Sequence, residues 1–312
     1  MSKFLTAALA LLLCSAAPAQ AGEVALTFDD LPGINLPSEP YVEEANRDLL
    51  AGLRRHHVPA IGFVNEGKLD TLNRRRETAI LGQWLREGMD LGNHTFSHES
   101  LNELGADKFI ADIAKGEPVT RALLAKRGKA LRWFRYPNLE TGPDAATKTR
   151  VADWLTAHGY RSAPVTIDAD DWEFAVPYDD AIRGHDRAKA RAIRESYLAH
   201  SAAVVDWARR GAKALFGRDI AYVMLLHDTR LNADSIDALA GLLQARDLKF
   251  VSLDTAMRDP AYATPDPYVG PDGIEWLERW SKALGRDLHW DDYPDVPADI
   301  VASYDALESD RH

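Results

Sequence analysis

Two apolar rhythms alternate along this chain. Val24, Leu26 and Phe28 occupy every second position of Glu23–Phe28, the period of a strand. That run stops at Asp29-Asp30 and gives way to a loop with Pro32, Gly33, Pro37 and Pro40. Leu49, Leu50 and Leu53 then fall on one side of a helix predicted from Val42 to His56. The alternation continues with a strand at Ala60–Val64, a helix near Glu77–Glu87, a strand at Met89–Asn93 and a helix at Asp107–Lys126. Leu131–Tyr136 reads as a strand ending at Pro137, Asp144–His158 as a helix, and Arg161–Ile167 as a strand leading into Asp168-Ala-Asp-Asp-Trp172. A long helical stretch, Ala181–Phe216, precedes the apolar strand Ala221–Leu226, which stops at His227-Asp228. A helix at Asp234–Ala245 and a strand at Phe250–Leu253 complete the run. Seven strands alternating with helices predict parallel βαβ units in an α/β fold. Every polar cluster falls just after a strand, the end that carries the active site in a β/α barrel.

No internal repeat or low-complexity linker interrupts residues 22–258, which are expected to form one catalytic unit. From Asp259 the texture changes to Pro260, Pro265, Pro267 and Pro271, then a short helix with Trp276 and Trp280, with Trp290 beyond. Residues 259–312 are expected to be an extension strapped over the barrel, with the tryptophans either packing it down or stacking on sugars.

Composition narrows the class. A hydrophobic share of 46% allows a sizeable core, and a net charge of −11 argues against a nucleic-acid or anionic-membrane surface. Residues 1–21 have the form of a signal peptide: Lys3, an apolar run from Phe4 to Leu13 too short to span a bilayer, and Ala19-Gln20-Ala21 before Gly22. Export to the periplasm or medium is therefore expected, without stable membrane insertion after cleavage. The single cysteine, Cys14, lies in that segment, so burial rather than disulfides must hold the remainder together.

The chemistry concentrates in Gly92-Asn-His-Thr-Phe-Ser-His98. A strand continued through both histidines would leave their rings roughly 13 Å apart. A shared zinc needs ligand nitrogens within roughly 3.5 Å of each other. The chain is therefore expected to curl into a helical turn after His94, stacking positions i and i+4. Asp29 and Asp30, adjacent at a strand end, should send their side chains in different directions. Beside the histidines they suggest a division of labour, one carboxylate ligating metal and the other accepting a proton from water. One Asp and two His would leave a coordination position open.

Five ordered motifs over residues 23–255 resemble the polysaccharide deacetylases, carbohydrate esterase family four, whose shared unit is the NodB-homology domain. They are Thr27-Phe-Asp-Asp30, His94-Thr-Phe-Ser-His98, Phe134-Arg-Tyr-Pro137, Asp171-Trp172 and Leu225-Leu-His-Asp228. The resemblance implies a distorted seven-stranded (β/α) barrel. It implies Asp29 as catalytic base, Asp30, His94 and His98 as ligands of one divalent ion (Zn2+, with Co2+ or Mn2+ as alternatives), and Arg135 as the residue orienting the base. It also implies His227 as general acid supported by Asp171, and Tyr136, Pro137, Trp172 and Leu225 as the substrate pocket. Asp168 and Asp170 rival Asp171 for its role. The chain departs from the family at Asn138, where many members carry an aromatic, and in the length of the Ala181–Phe216 stretch. His56, His57, His158, His185, His200, His289 and His312 fit no site and are expected at the surface or in loops.

The implied activity is removal of acetyl groups from an acetylated carbohydrate, foremost an N-acetylglucosamine-type polymer or oligomer. The alternatives are an O-acetyl esterase on a glycan, a small-amide hydrolase, and a carbohydrate-binding pseudoenzyme. An acetylated carbohydrate is the expected partner; nucleic acid is not, and no protein partner is evident.

Overall fold

Ten residues at the start of the described chain, Gly22–Leu31 (β1), form the strand around which the sheet is built; a computed structural model describes residues 22–309. The expected signal segment lies outside the described residues. In chain order there follow α1 (Glu39–Arg55), β2 (Ile61–Val64), α2 (Arg74–Arg86), β3 (Asp90–Asn93), α3 (Leu101–Leu104), α4 (Ala106–Lys115) and α5 (Pro118–Ala125). Next come β4 (Trp133–Phe134), α6 (Ala145–Ala157), β5 (Arg161–Ser162), β6 (Ile167–Asp168), α7 (Asp171–Arg183) and α8 (Arg187–Phe216). The chain ends with β7 (Ala221–His227), α9 (Arg230–Gln244), β8 (Leu248–Phe250), α10 (Leu253–Ala256), α11 (Trp276–Leu284) and α12 (Ala298–Ser309).

Seven strands hydrogen-bond in the order β5-β4-β3-β2-β1-β7-β6, all of them parallel, and β8 pairs with β1 off this path. The result is a curled, barrel-like sheet with helices outside. The stretch expected as one strand at residues 161–167 is two short pieces on opposite edges. Ala163 N–H still bonds Phe134 O on the β4 side, whereas Thr166 N–H already bonds Val223 O on β7. This single crossing spans the gap between the two edges. Three other boundaries differ from the periodicity reading. Gly116 and Pro118 split the helix expected at residues 107–126, since proline supplies no N–H to continue the ladder. The expected Ala181–Phe216 helix breaks at Gly184-His185, where His185 takes φ 59° and the Asp186 side chain caps a new helix through Lys189 N–H. At the last strand the pairing covers Leu248–Phe250, and Leu253 instead opens the short helix capped by Ser252.

Because strand side chains alternate, β1 faces two cores. Val24, Leu26 and Phe28 point outward beneath the helices, where Leu49, Leu53 and Trp84 join them. Ala25 points inward with Phe63, Trp133, Ala221 and Val223. Two residues further up the inward column of β1 lie Thr27 and then Asp29, and on β7 the same column reads Val223, Leu225, His227. The register sets Asp29 opposite His227. Packing thus fills the barrel below and leaves polar residues at its carboxyl-terminal mouth.

Beyond residue 258, α11 packs on α8 and α12 on α7. Trp280 is buried between Phe216 and Tyr262, with ring centroids 5.5 and 5.3 Å away. Trp290 remains 39% exposed but lies 4.7 Å from the Trp207 ring. No helix among the described residues is long and apolar enough to cross a membrane.

The outer core depends on Trp84, which is fully buried, meets Phe28 edge-on at 5.7 Å and donates its indole N–H to Asn46 Oδ1 at 2.7 Å. Trp84→Ala leaves both a cavity and an orphaned amide, so a loss of about 3–5 kcal/mol is expected in urea unfolding; a loss near zero would show that this face of the sheet repacks freely.

Candidate active site

Asp29 and Asp30 both line one cleft at the mouth of the barrel, although strand alternation should have separated them. The reason is backbone: Asp30 adopts φ 68° at a register shift between Phe28 and Leu31, a left-handed turn that swings its carboxylate back inward. Asp29 is buried against Arg135, whose Nη1 reaches Oδ2 at 3.3 Å while Nη2 donates to Thr27 Oγ1 at 3.0 Å. Asp29 Oδ1 is buried with no hydrogen-bond partner among the described residues. Burial pushes the Asp29 carboxyl up to about 6, against the pull of Arg135 and His227.

The expected helical turn after His94 is absent. Thr95 (φ 67°) and His98 (φ 61°) are left-handed, and side chains take over the hydrogen bonds a helix would have made. Asn93 Oδ1 accepts from Thr95 N–H (2.7 Å), and Thr95 Oγ1 accepts from His98 N–H (3.0 Å). Asp112 accepts from Ser97 N–H at 3.0 Å and from its hydroxyl at 2.9 Å. Gly116 lets this loop approach: a Cβ there would lie 2.5 Å from the Thr95 carbonyl carbon. The bend brings the two imidazoles together, ring centroids 4.9 Å apart at 71°.

Ligand atoms of Asp30, His94 and His98 all lie within 4.8 Å of one another. His94 Nδ1 bonds the Arg135 carbonyl at 2.9 Å, which assigns that nitrogen as the donor and leaves Nε2 with its lone pair. Burial depresses both imidazoles below the ordinary histidine range, so both are neutral donors. Burial acts to raise Asp30, but the cations facing it, the Lys68 ammonium first among them and the charged His227 beyond, outweigh it and hold the carboxylate ionised. Two neutral imidazoles and one ionised carboxylate, whose buried Oδ1 accepts no hydrogen bond and has the Lys68 ammonium 3.2 Å away, form a donor set suited to a divalent cation.

Across the cleft, His227 Nδ1 meets Asp171 Oδ1 at 2.7 Å, and the other carboxylate oxygen accepts His227 N–H at 2.8 Å. Burial opposes the charged imidazole, yet Asp171 raises it to about 9. Asp168 and Asp170 line the cleft instead and make no contact of this kind with His227. Burial pushes the Asp168 carboxyl up to about 8, with Asp170 adding to the rise.

The cleft has a volume of about 450 Å³. Tyr136, Trp172, Leu225 and His227 are in its lining, whereas Pro137 is not; Arg135 and Asp171 sit behind it, fully buried. Asn138 lies in the lining with φ 52°, in the turn Pro137–Leu139. None of the three tail tryptophans reaches the cleft.

Several neighbours escaped the sequence reading. Lys68 Nζ lies 3.2 Å from Asp30 Oδ1; its one signal was its place after a strand end, as with the other polar clusters. Asn232 donates to Asp171 Oδ2 and to the His227 carbonyl, and accepts from Tyr197 OH at 2.8 Å; nothing in its spacing marked it. His200, expected at the surface or in a loop, is buried on α8 with Nε2 3.5 Å from Asp170 Oδ2. Gly273 and Tyr304 enter the cleft from the C-terminal segment.

Residues 16–162 match a family model described as polysaccharide deacetylase. The peptidoglycan-N-acetylglucosamine deacetylase of Bacillus cereus is 28% identical over 156 residues, which cover 50% of this chain and 48% of that protein. The chitin deacetylase of Colletotrichum lindemuthianum is 28% identical over 158 residues, covering 51% and 56%. The chain thus spans about half the length of the curated relatives it matches. Among solved structures, a wild-type CE4 family pseudoenzyme from Bacillus anthracis shares the fold, with a TM-score of 0.53 at 15% identity over 76% of this chain and 66% of that one.

The charge on His227 is testable without any substrate. In Asp171→Asn the ring keeps its burial but loses the charged partner, so its titration by NMR should fall from about 9 by about one to two pH units. An unmoved titration would remove Asp171 as the cause.

Proposed function

We propose, from the match of residues 16–162 to the polysaccharide deacetylase family model and from the site described above, that the chain is an exported, metal-dependent hydrolase that removes acetyl groups from an acetylated carbohydrate. The observation that carries this reading is the Asp30–His94–His98 donor set in one cleft with an open, raised carboxylate, Asp29, and a protonated imidazole, His227. Relatives named for peptidoglycan N-acetylglucosamine and chitin support an N-acetylglucosamine-type substrate. The leader-like residues 1–21 support action outside the cytoplasm.

Asp30, His94 and His98 would hold one divalent ion, Zn2+ foremost with Co2+ or Mn2+ as alternatives, which when bound polarises the acetyl carbonyl and lowers the pKa of a water molecule. Asp29 takes the proton of the attacking water at Oδ1, the oxygen that Arg135 leaves open. Arg135 fixes the carboxylate and its own carbonyl fixes His94, so one residue orients the base and a ligand. The backbone N–H at Tyr136 donates to the carbonyl oxygen as charge develops there. His227, with Nδ1 held by Asp171, delivers the proton on Nε2 to the departing nitrogen. Trp172 and Leu225 wall the pocket on the His227 side. A pseudoenzyme would lack the base or the acid, and this chain has both.

Purified protein should bind about one divalent ion per chain, and His94→Ala or His98→Ala should abolish stoichiometric binding by elemental analysis. Asp29→Asn should keep the metal while turnover falls by about two to four orders of magnitude, whereas Asp30→Asn should lose the metal itself. The reverse pattern would exchange the two roles; retention in both histidine variants would refute the site.

An amine leaves poorly unless protonated, and an alkoxide from an ester leaves more readily. His227→Ala should therefore damage acetate release from an N-acetyl substrate by at least about tenfold more than from a matched O-acetyl one. Equal losses would mean that His227 does something other than protonate the leaving group.

A further inference from the structure

The C-terminal segment does more than pack against the barrel, because it builds part of the cleft. Gly273 sits directly on the turn Pro137–Leu139: a Cβ at this position would lie 1.7 Å from Asn138 O, so only glycine lets the loop come this close. Arg279 holds the contact. Its side chain has no exposure, and it donates to Leu139 O at 2.9 Å, Thr141 Oγ1 at 2.8 Å and Ile274 O at 2.9 Å, with Asp266 as counter-ion at 3.0 Å. A buried guanidinium is tolerated only with its acceptors fixed, so the loop and the turn form one rigid piece. The same segment reaches across the barrel mouth: Asn102 Nδ2 donates to Pro271 O at 2.8 Å on one side, and Trp276 N–H to Val165 O at 2.8 Å on the other.

At the far end of the segment, α12 sets the Tyr304 ring 5.0 Å from the Trp172 ring at 82°, both half-buried and both in the cleft lining. The cleft of about 450 Å³ falls in the range of small-ligand pockets, roughly 300–1,000 Å³, and has Gly273 beside Asn138 in its lining.

We propose that residues 264–309 are a substrate-length determinant. The Gly273 loop ends the cleft on the Asn138 side, and Tyr304 completes with Trp172 an aromatic corner for a sugar ring. The enzyme accordingly takes short N-acetylated saccharides or chain ends rather than the interior of a polymer. This rests on the deacetylase reading above.

The test compares metal-loaded wild type, Tyr304→Ala and Tyr304→Phe on N-acetylglucosamine oligomers of increasing length and on soluble, partly acetylated chitosan, following acetate. In the wild type kcat/KM should stop rising after the first few sugar units. Tyr304→Ala should raise KM for the short oligomers by up to about tenfold with kcat little changed, and Tyr304→Phe should restore it. A wild-type kcat/KM that keeps climbing to the polymer would overturn the closed end, and an unmoved KM in Tyr304→Ala would overturn the aromatic corner. If the wild type releases acetate from no substrate, the deacetylase reading fails and binding decides the present one. Quenching of Trp172 fluorescence by the N-acetylglucosamine disaccharide, absent in Trp172→Phe and weakened in Tyr304→Ala, would uphold it; no binding would end it.

Discussion

One guanidinium at the centre of the barrel mouth organises the site. Arg135 has no exposure, and its charge is lodged between Asp29, the Thr27 hydroxyl and the face of Phe63, 4.8 Å away. Its backbone carbonyl meanwhile fixes His94 through Nδ1. A buried ion pair of this kind contributes little net stability, because desolvation offsets the Coulombic gain. What it supplies is position: Asp29 has one oxygen tethered and one left over, and His94 is held in the tautomer that leaves the Nε2 lone pair facing the cleft. The inward columns of β1 and β7 and the bend after Asn93 all converge on the groups Arg135 touches.

The cleft also separates its ionisable groups by environment. Asp29 is raised toward 6 by burial, while Asp30, one residue on, stays ionised beside Lys68 and two imidazoles. His94 and His98 are kept neutral by burial, while His227 is charged because Asp171 lies against it. Two aspartates and three histidines thus divide, by environment alone, into a raised carboxyl, an ionised carboxylate, two neutral imidazoles and one charged imidazole, with no change of residue type. Asn232 extends this control one layer outward by satisfying the same Asp171 oxygen that receives the His227 N–H.

Closure of the sheet and closure of the cleft are handled by separate pieces of chain. Residues 161–168 cross from β4 to β7 and join the edges of the barrel. The C-terminal segment, anchored through Arg279 to the turn at Leu139, then lies over part of the mouth. Gly273 rests on the backbone carbonyl of Asn138, the position where the sequence departs from the family it resembles.

The alternation of period-two and helical segments was enough to read parallel βαβ units in an α/β fold with polar residues at the strand ends, because burial of both sheet faces imposes that pattern locally; the barrel itself came from the resemblance. It was also enough to place Asp29, His94, Arg135 and His227 at strand ends, while the strand order that makes those ends converge is set by the fold. Three things were not legible. The left-handed turns at Thr95 and His98 run against local preference and are held by the Asn93, Thr95 and Asp112 side chains and by Gly116, and the one at Asp30 falls in a register shift of β1, all features that exist only once the chain has folded. Periodicity continues through Gly116-Glu-Pro118 and Gly184-His185, so the breaks there are decided by capping and missing N–H groups rather than by the apolar pattern. Lys68, Asn232, Gly273 and Tyr304 come to the cleft from distant elements. Strand-end chemistry is written in short-range pattern, whereas the partners that tune it are chosen by long-range packing, which no window of sequence contains.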